Sequence, residues 1–321
     1  MSVALLFSPQ GSQAVGMGRE LAVRYPVAAA VWQAADAAAG WAVSDVAWHG
    51  PEDVLNDTQQ TQPALVACSL AALAALREAS VAAGLSLEPA FVAGHSVGEY
   101  AALVAAGVLA PTDAIRLVAL RGRLMSAAGA EGGMTAVIGM DREAVAEVIG
   151  AVASPADLVV ANDNAPGQVV ISGTRDALLD ADAPLKAAGA RRLIGLPVSG
   201  PFHSPWMAEV GDALAAAFGD VAWHDAEPPL VSNVTAEPVT DAGRIRALLA
   251  EQVRSPVEWV ASVRRMAEEG VDTFIECGPG SALTGMVRRI APEARTANVS
   301  DVASLDATLQ ALAGVPAEAS A

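Results

Sequence analysis

The sequence is short of positive charge, short of cysteine and without long uninterrupted apolar runs, and each shortage excludes something. Lys and Arg number 19 against 36 Asp and Glu, for a net charge of −17, and Lys186 is the only lysine. A nucleic-acid binder needs a basic surface, so no nucleic-acid partner is expected. Two cysteines, Cys68 and Cys277, cannot build a disulfide framework. Neither has an evident base beside it, and both read as packing residues rather than reactive thiols. The best candidate for a bilayer-spanning run, 91–109, is broken by His95, Ser96 and Glu99, so no membrane span is expected. The N-terminus lacks a basic stretch and turns at Pro9-Gln10-Gly11. It reads as a first strand rather than a signal peptide, with a cytoplasmic location as the simplest expectation.

What is present is apolar material, 53% of 321 residues, enough for a large domain with a smaller one beside it. Val3–Phe7 reads as a buried strand, helical patterns follow at 18–39 and 64–83, and Ala90–Gly94 reads as a second buried strand. A sharp turn then leads into a helix over about 97–106, and Pro111 opens the next helix. This alternation predicts a mostly parallel sheet covered on both faces. The rhythm then changes. Strands are expected at 134–138, 157–161, 168–172 and 190–197, with helices at 141–152 and 174–188; the segment 162–167 joins the middle two strands. That βαββαβ order is the ferredoxin-like pattern, a small subdomain at 128–198 inserted into an α/β subdomain made of 1–127 and 199–321. The α/β rhythm resumes with a strand at 230–234, a helix ending at Arg254 and a strand at 272–276. Residues 314–321 read as a frayed tail.

The helix after Pro111 carries an oddity. Ala114, Val118, Arg121 and Met125 share one face, flanked by Leu117 and Leu124, so Arg121 lies within an apolar stripe. A guanidinium held there unpartnered costs several kcal/mol, so an anion or a set of acceptors must meet it.

Gly94-His95-Ser96-Val97-Gly98 is a G-x-S-x-G pentapeptide with a buried strand running in and an apolar helix leading out. Strand–turn–helix is the context of a nucleophile elbow, which offers a serine hydroxyl at a helix N-terminus. That serine needs a base. Of four histidines, His95 adjoins Ser96 but points elsewhere at an elbow, and His49 and His224 read as residues of polar surface loops. His203 follows the strand returning from the small subdomain, at the end of the sheet where α/β sites gather, and is the expected base; a structural role for it stays open. Val97, following the nucleophile, supplies one oxyanion amide, and Gln10, in the loop after the first strand, is the candidate for the second.

These residues resemble the malonyl-CoA:acyl carrier protein transacylases and the related acyltransferase domains of polyketide synthases. The resemblance runs through Gln10-Gly-Ser-Gln13, Thr61-Gln-Pro-Ala64, Gly94-His-Ser-Val-Gly-Glu-Tyr100, Leu120-Arg-Gly-Arg-Leu-Met125, Asn164–Gly173, Pro201-Phe-His203, Ser232-Asn-Val-Thr235, Gln252–Val257 and Glu276-Cys-Gly-Pro-Gly280. It implies a hydrolase-like large subdomain with a ferredoxin-like small one. It also implies a malonyl ester on Ser96, His203 as general base, and Gln252 orienting that histidine through its main-chain carbonyl. Arg121 would pair with the substrate carboxylate, and Gln62, Met125 and Phe202 would line the pocket. The implied partners are malonyl-CoA and a phosphopantetheinylated acyl carrier protein, in fatty acid biosynthesis, with no cofactor, no metal and a monomeric chain. One departure stands out: Phe7-Ser8-Pro9-Gln10 replaces the usual Phe-Pro-Gly-Gln, which removes a backbone N–H at Pro9 but keeps that of Gln10. Three other readings stay open: a serine hydrolase, a malonate decarboxylase transacylase subunit, and a stand-alone polyketide acyltransferase. Arg191-Arg192 and Arg288-Arg289 are either docking points for an acidic carrier or solvated surface pairs.

Overall fold

The computed structural model describes residues 1–129 and 132–314, so the tail read from the sequence lies, beyond Gly314, outside the described residues. Among the described residues there are ten strands: β1 (Val3–Phe7), β2 (Pro89–Gly94), β3 (Gly132–Ile138), β4 (Leu158–Ala165), β5 (Gln168–Thr174), β6 (Arg192–Gly195), β7 (Leu230–Val231), β8 (Pro238–Val239), β9 (Thr273–Cys277) and β10 (Arg295–Val299). They form two sheets. The larger has the order β10-β9-β1-β2-β7-β8, parallel except for the last pair; the smaller, β4-β5-β3-β6, is antiparallel.

β1 is the hub of the larger sheet. All five of its residues are buried, as a strand covered on both faces requires. Its register pairs Phe7 with Gly94 on one side and with Cys277 on the other. The carboxyl ends of β1, β2 and β9 therefore finish level, and the loops beginning at Ser8, His95 and Gly278 open on the same edge. Loops on that edge of an α/β sheet are where sites form.

Several element boundaries differ from the sequence expectations, each for a local reason. The pattern over 18–39 is two helices, Arg19–Arg24 and Pro26–Ala39. Tyr25 between them is extended (φ −121°), because a residue before proline is pushed out of the helical region. The helix expected at 64–83 begins earlier, at Thr58, where the Asp57 side chain accepts from the Gln59 amide and caps it; Pro63 lies inside. Among the described residues this helix, Thr58–Ala82, and not 91–109, is the one long and apolar enough to cross a membrane, yet 78% of its apolar window is buried within the fold.

β4 runs on to Ala165, so 162–167 is mostly strand and only the turn at Pro166-Gly167 links it to β5. Its edge is held from outside: the Asp163 amide donates to the Val257 carbonyl at 3.0 Å, and the Val257 amide to the Ala161 carbonyl at 2.8 Å. β8 and β10 escaped the sequence reading because a two-residue strand and a polar edge strand carry no apolar pattern. Likewise, the strands expected at 190–197 and 230–234 shrink to Arg192–Gly195 and Leu230–Val231.

Candidate active site

Ser96 stands at the turn between β2 and the helix Gly98–Ala105. Its φ of 53° lies in the left-handed region, a conformation that costs a non-glycine residue on the order of 1–3 kcal/mol. The flanking glycines make that turn possible. A Cβ on Gly94 would lie 2.0 Å from the Gly98 carbonyl carbon, and one on Gly98 would lie 2.2 Å from the Phe7 carbonyl oxygen. A further brace comes from Asn233, fully buried beyond β7. Its Oδ1 accepts from the Ser96 amide at 2.7 Å, and its Nδ2 donates to the Gly94 carbonyl at 2.6 Å. Asn233 stood in a motif of the resemblance, but nothing in its sequence neighbourhood connects it to the elbow.

The Ser96 hydroxyl lies 2.7 Å from His203 Nε2. His203 Nδ1 faces two carbonyls, Gln252 O at 2.9 Å and Ser255 O at 3.1 Å. Carbonyls only accept, so Nδ1 carries the ring proton and Nε2 is left to accept from the serine. Burial, with the Arg121 charge adding to it, pushes the His203 pKa down to about 3, so the ring is neutral at physiological pH. His203 is itself held at φ 57°. The carbonyl of Ser255 is a second support that the sequence did not announce.

Arg121 is fully buried and meets acceptors from three elements. NH1 donates to Gln62 Oε1 at 2.8 Å; NH2 donates to Ser96 Oγ and to Gln252 Oε1, each at 3.1 Å. The Tyr100 ring lies beneath it, 5.9 Å away. Burial lowers its pKa, an effect opposed by Tyr100 and Glu99. Among the described residues its Nε has no hydrogen-bond partner.

The remaining expected residues gather around this group. Gln62 Nε2 donates to Met125 Sδ at 3.4 Å and reaches Gln10 Oε1 at 3.5 Å, while Gln10 Nε2 donates to Thr58 Oγ1 at 3.2 Å. Val97 is buried at the start of the helix Gly98–Ala105, and Phe202 is buried next to His203 in the chain. A carboxylate that sequence reasoning passed over completes the cluster: Glu99 Oε2 accepts from Gln252 Nε2 at 2.5 Å, and burial pushes the Glu99 pKa up to about 7.

The other histidines lie apart from this cluster. His95 turns away from the elbow, bonding Asn164 Oδ1 at 2.7 Å and packing on Trp259. His49 is exposed but ends the helix Val43–His49 rather than occupying a loop, and pairs with Asp45; His224 is exposed. Cys68 and Cys277 are buried, and burial pushes both thiols up to about 12, as suits packing residues. Ser8, in the departure from the family pattern, is buried and donates to Glu276 Oε1 at 3.1 Å.

Fold and geometry together define a class: α/β proteins with a serine–histidine pair at a sharp strand-to-helix turn. Within it, this chain belongs to the acyl transferase domain family, whose pattern matches residues 4–310. It is 40% identical over 313 residues to the malonyl CoA-acyl carrier protein transacylase of Bacillus subtilis, covering 97% of each chain. With the Escherichia coli K12 protein of the same name it shares 39% over 309 residues, 96% of this chain and 98% of that one. Among solved structures, an acyl carrier protein S-malonyltransferase from Vibrio cholerae superposes with a TM-score of 0.90 at 41% identity, covering 96% of this chain and all of that one. A malonyl-transacylase in complex with a type II PKS acyl-carrier protein gives 0.91 at 39%, over 97% and 100% of the two chains.

Proposed function

We propose that this protein transfers the malonyl group from malonyl-CoA to the phosphopantetheine thiol of an acyl carrier protein, through an ester on Ser96, for fatty acid biosynthesis. One observation carries the reading: the hydroxyl that lies 2.7 Å from a neutral imidazole also accepts from a buried guanidinium at 3.1 Å. Nucleophile and carboxylate receptor are thus in direct hydrogen-bond contact. A plain esterase has no use for a cation on an otherwise apolar helix face, and this separates the reading from a serine hydrolase.

In the first half-reaction the Ser96 proton passes to His203 Nε2 as Oγ bonds to the thioester carbonyl carbon. The carbonyl oxygen gathers negative charge, and the amides of Gln10 and Val97 receive it. The carbon–sulfur bond then breaks, and the imidazolium returns its proton to the departing CoA thiolate. In the second half the carrier thiol gives its proton to His203 and attacks the ester, and Ser96 leaves with that proton. The carbonyls of Gln252 and Ser255 hold the imidazole in the required tautomer and strengthen its charged form as it develops. Arg121, with Nε unpaired among the described residues, receives the malonyl carboxylate. Gln62, Met125 and Phe202 bound the acyl pocket.

The same reading treats 1–127 with 199–321 as a hydrolase-like subdomain and 128–198 as a ferredoxin-like one; the sheet order β4-β5-β3-β6 supports the latter. The reading also takes the chain to act as a monomer in the cytoplasm. For the carrier, Arg191 and Arg289 offer a docking point. Arg191 packs on Gly139, Arg289 bonds Gln168 Oε1 at 2.7 Å and the Pro166 carbonyl, and Gly139 and Gly167 are themselves hydrogen-bonded at 2.9 Å. One arginine of each basic pair, distant in sequence, therefore lies at the same exposed edge. The deciding experiment is intact-mass detection of a malonyl adduct that disappears when carrier protein is added. An adduct released only to water would favour a hydrolase.

A further inference from the structure

The Gln252 side chain is a primary amide with two dissimilar ends, and its surroundings are sorted by them. Oε1 accepts from Arg121 NH2 at 3.1 Å; Nε2 donates to the Ser96 carbonyl at 3.0 Å and to Glu99 Oε2 at 2.5 Å. A rotation of half a turn about the last side-chain bond would exchange those ends. It would set an NH2 against the guanidinium and a carbonyl against two acceptors. In its ionised form the Glu99 carboxylate accepts only, and that form admits one of the two orientations. Glu99 is itself fixed: it sits in the first turn of the helix Gly98–Ala105, its amide donates to the Ser96 carbonyl at 3.0 Å, and its side chain accepts from the Asn233 backbone.

We infer that Glu99 is a positioning residue for acyl selection: by locking the Gln252 amide with its oxygen toward Arg121, it holds the guanidinium where a dicarboxylic acyl group is read. The inference rests on the proposed malonyl transfer. Arg121 NH2 is shared between Gln252 Oε1 and Ser96 Oγ, so the place of the cation relative to the nucleophile depends on which atom Gln252 presents. In its ionised form Glu99 also places a negative charge near Arg121, which raises the guanidinium's pKa against the effect of burial. Burial raises the Glu99 pKa, and the bonds from Gln252 and Asn233 and the charge of Arg121 oppose that rise.

The test follows the rates at which Ser96 takes up malonyl from malonyl-CoA and acetyl from acetyl-CoA, read by intact mass. Glu99→Leu should lower the malonyl/acetyl ratio by roughly tenfold, the scale of one hydrogen bond to a charged group. Glu99→Gln, whose own carbonyl can accept from Gln252, should recover most of the ratio. Gln252→Leu should lower it as Glu99→Leu does while leaving its main-chain carbonyl on His203, and the double variant should lower it no further than either single change. Should Glu99→Leu prove too unstable to isolate, Glu99→Asp, which draws the carboxylate back by one methylene, must move the ratio in the same direction. Equal loss of both rates, or effects that add in the double variant, would overturn the inference. If the parent forms no malonyl adduct, the proposed function fails. If it forms one and the ratio is unmoved, only the role of Glu99 fails.

Discussion

Arg121 NH2 donates to Ser96 Oγ at 3.1 Å, although the two residues belong to different helix–strand units. The cation on the apolar helix face is thus a neighbour of the elbow serine, and among the described residues its acceptors are Gln62, Gln252 and that serine. On the proposed reading, a malonyl carboxylate arriving at Arg121 would compete with these neutral acceptors and exceed them in charge, and so favour a dicarboxylic acyl group.

Replacing Arg121 by Ala should reduce kcat/KM for malonyl-CoA by roughly two orders of magnitude, as expected when one partner of a buried charge pair is lost. The rate with acetyl-CoA should fall far less or rise. Steady-state kinetics with both thioesters reads this directly, and an unchanged preference would remove Arg121 from carboxylate recognition.

Ser96→Ala should give no adduct at all after incubation with malonyl-CoA, with the folded state retained by circular dichroism. Residual acylation at another residue would refute the nucleophile.

Asn233 is expected to matter to stability and to rate together. Its truncation to Ala leaves the Ser96 amide and the Gly94 carbonyl without their partner, a cost of about 1–3 kcal/mol in unfolding free energy. The strained φ at Ser96 should also relax, lowering kcat more than it raises KM. Urea unfolding and kinetics on Asn233→Ala check both effects.

The buried imidazole has a consequence for pH. His203 is held down to about 3, below the ordinary value near 6.5, so the unfolded state binds this proton first as the solution is acidified. Its contribution to stability is complete above about pH 6.5 and declines as pH falls toward 3. A His203→Gln variant should therefore lose less stability than the parent between pH 6.5 and 4, measured by thermal unfolding at each pH. An identical decline in both proteins would contradict the buried neutral state.

Charge reversal at Arg191 and Arg289 should raise the KM for carrier protein several-fold while leaving that for malonyl-CoA unchanged. Such an effect should weaken as salt is added. Equal shifts in the two constants would exclude docking at this edge.

Much of this site was legible in the sequence because it is written in local patterns. Gly94, Ser96 and Gly98 sit at fixed spacing between a buried strand and a helix, and Arg121 interrupts an apolar stripe. The parallel core around β1 followed from its unbroken apolar run. The polar frame was less legible. Asn233, Glu99 and the carbonyl of Ser255 act through single contacts to residues remote in the chain, and a lone Asn, Glu or Ser leaves no periodic trace. The Gln252 carbonyl came from family resemblance, but the part played by its side chain appeared only when helix, elbow and loop were seen together. The break at Tyr25–Pro26, by contrast, was available locally and was outweighed by the continuous apolar pattern on either side.

The short run from Gln252 to Val257 ties two distant parts of the molecule to one piece of backbone. At one end its carbonyls set the imidazole's tautomer; at the other, Val257 is stitched to the edge of β4. The edge of the smaller sheet and the ring of His203 are therefore moored to the same six residues of backbone, although the two lie in different sheets' territory.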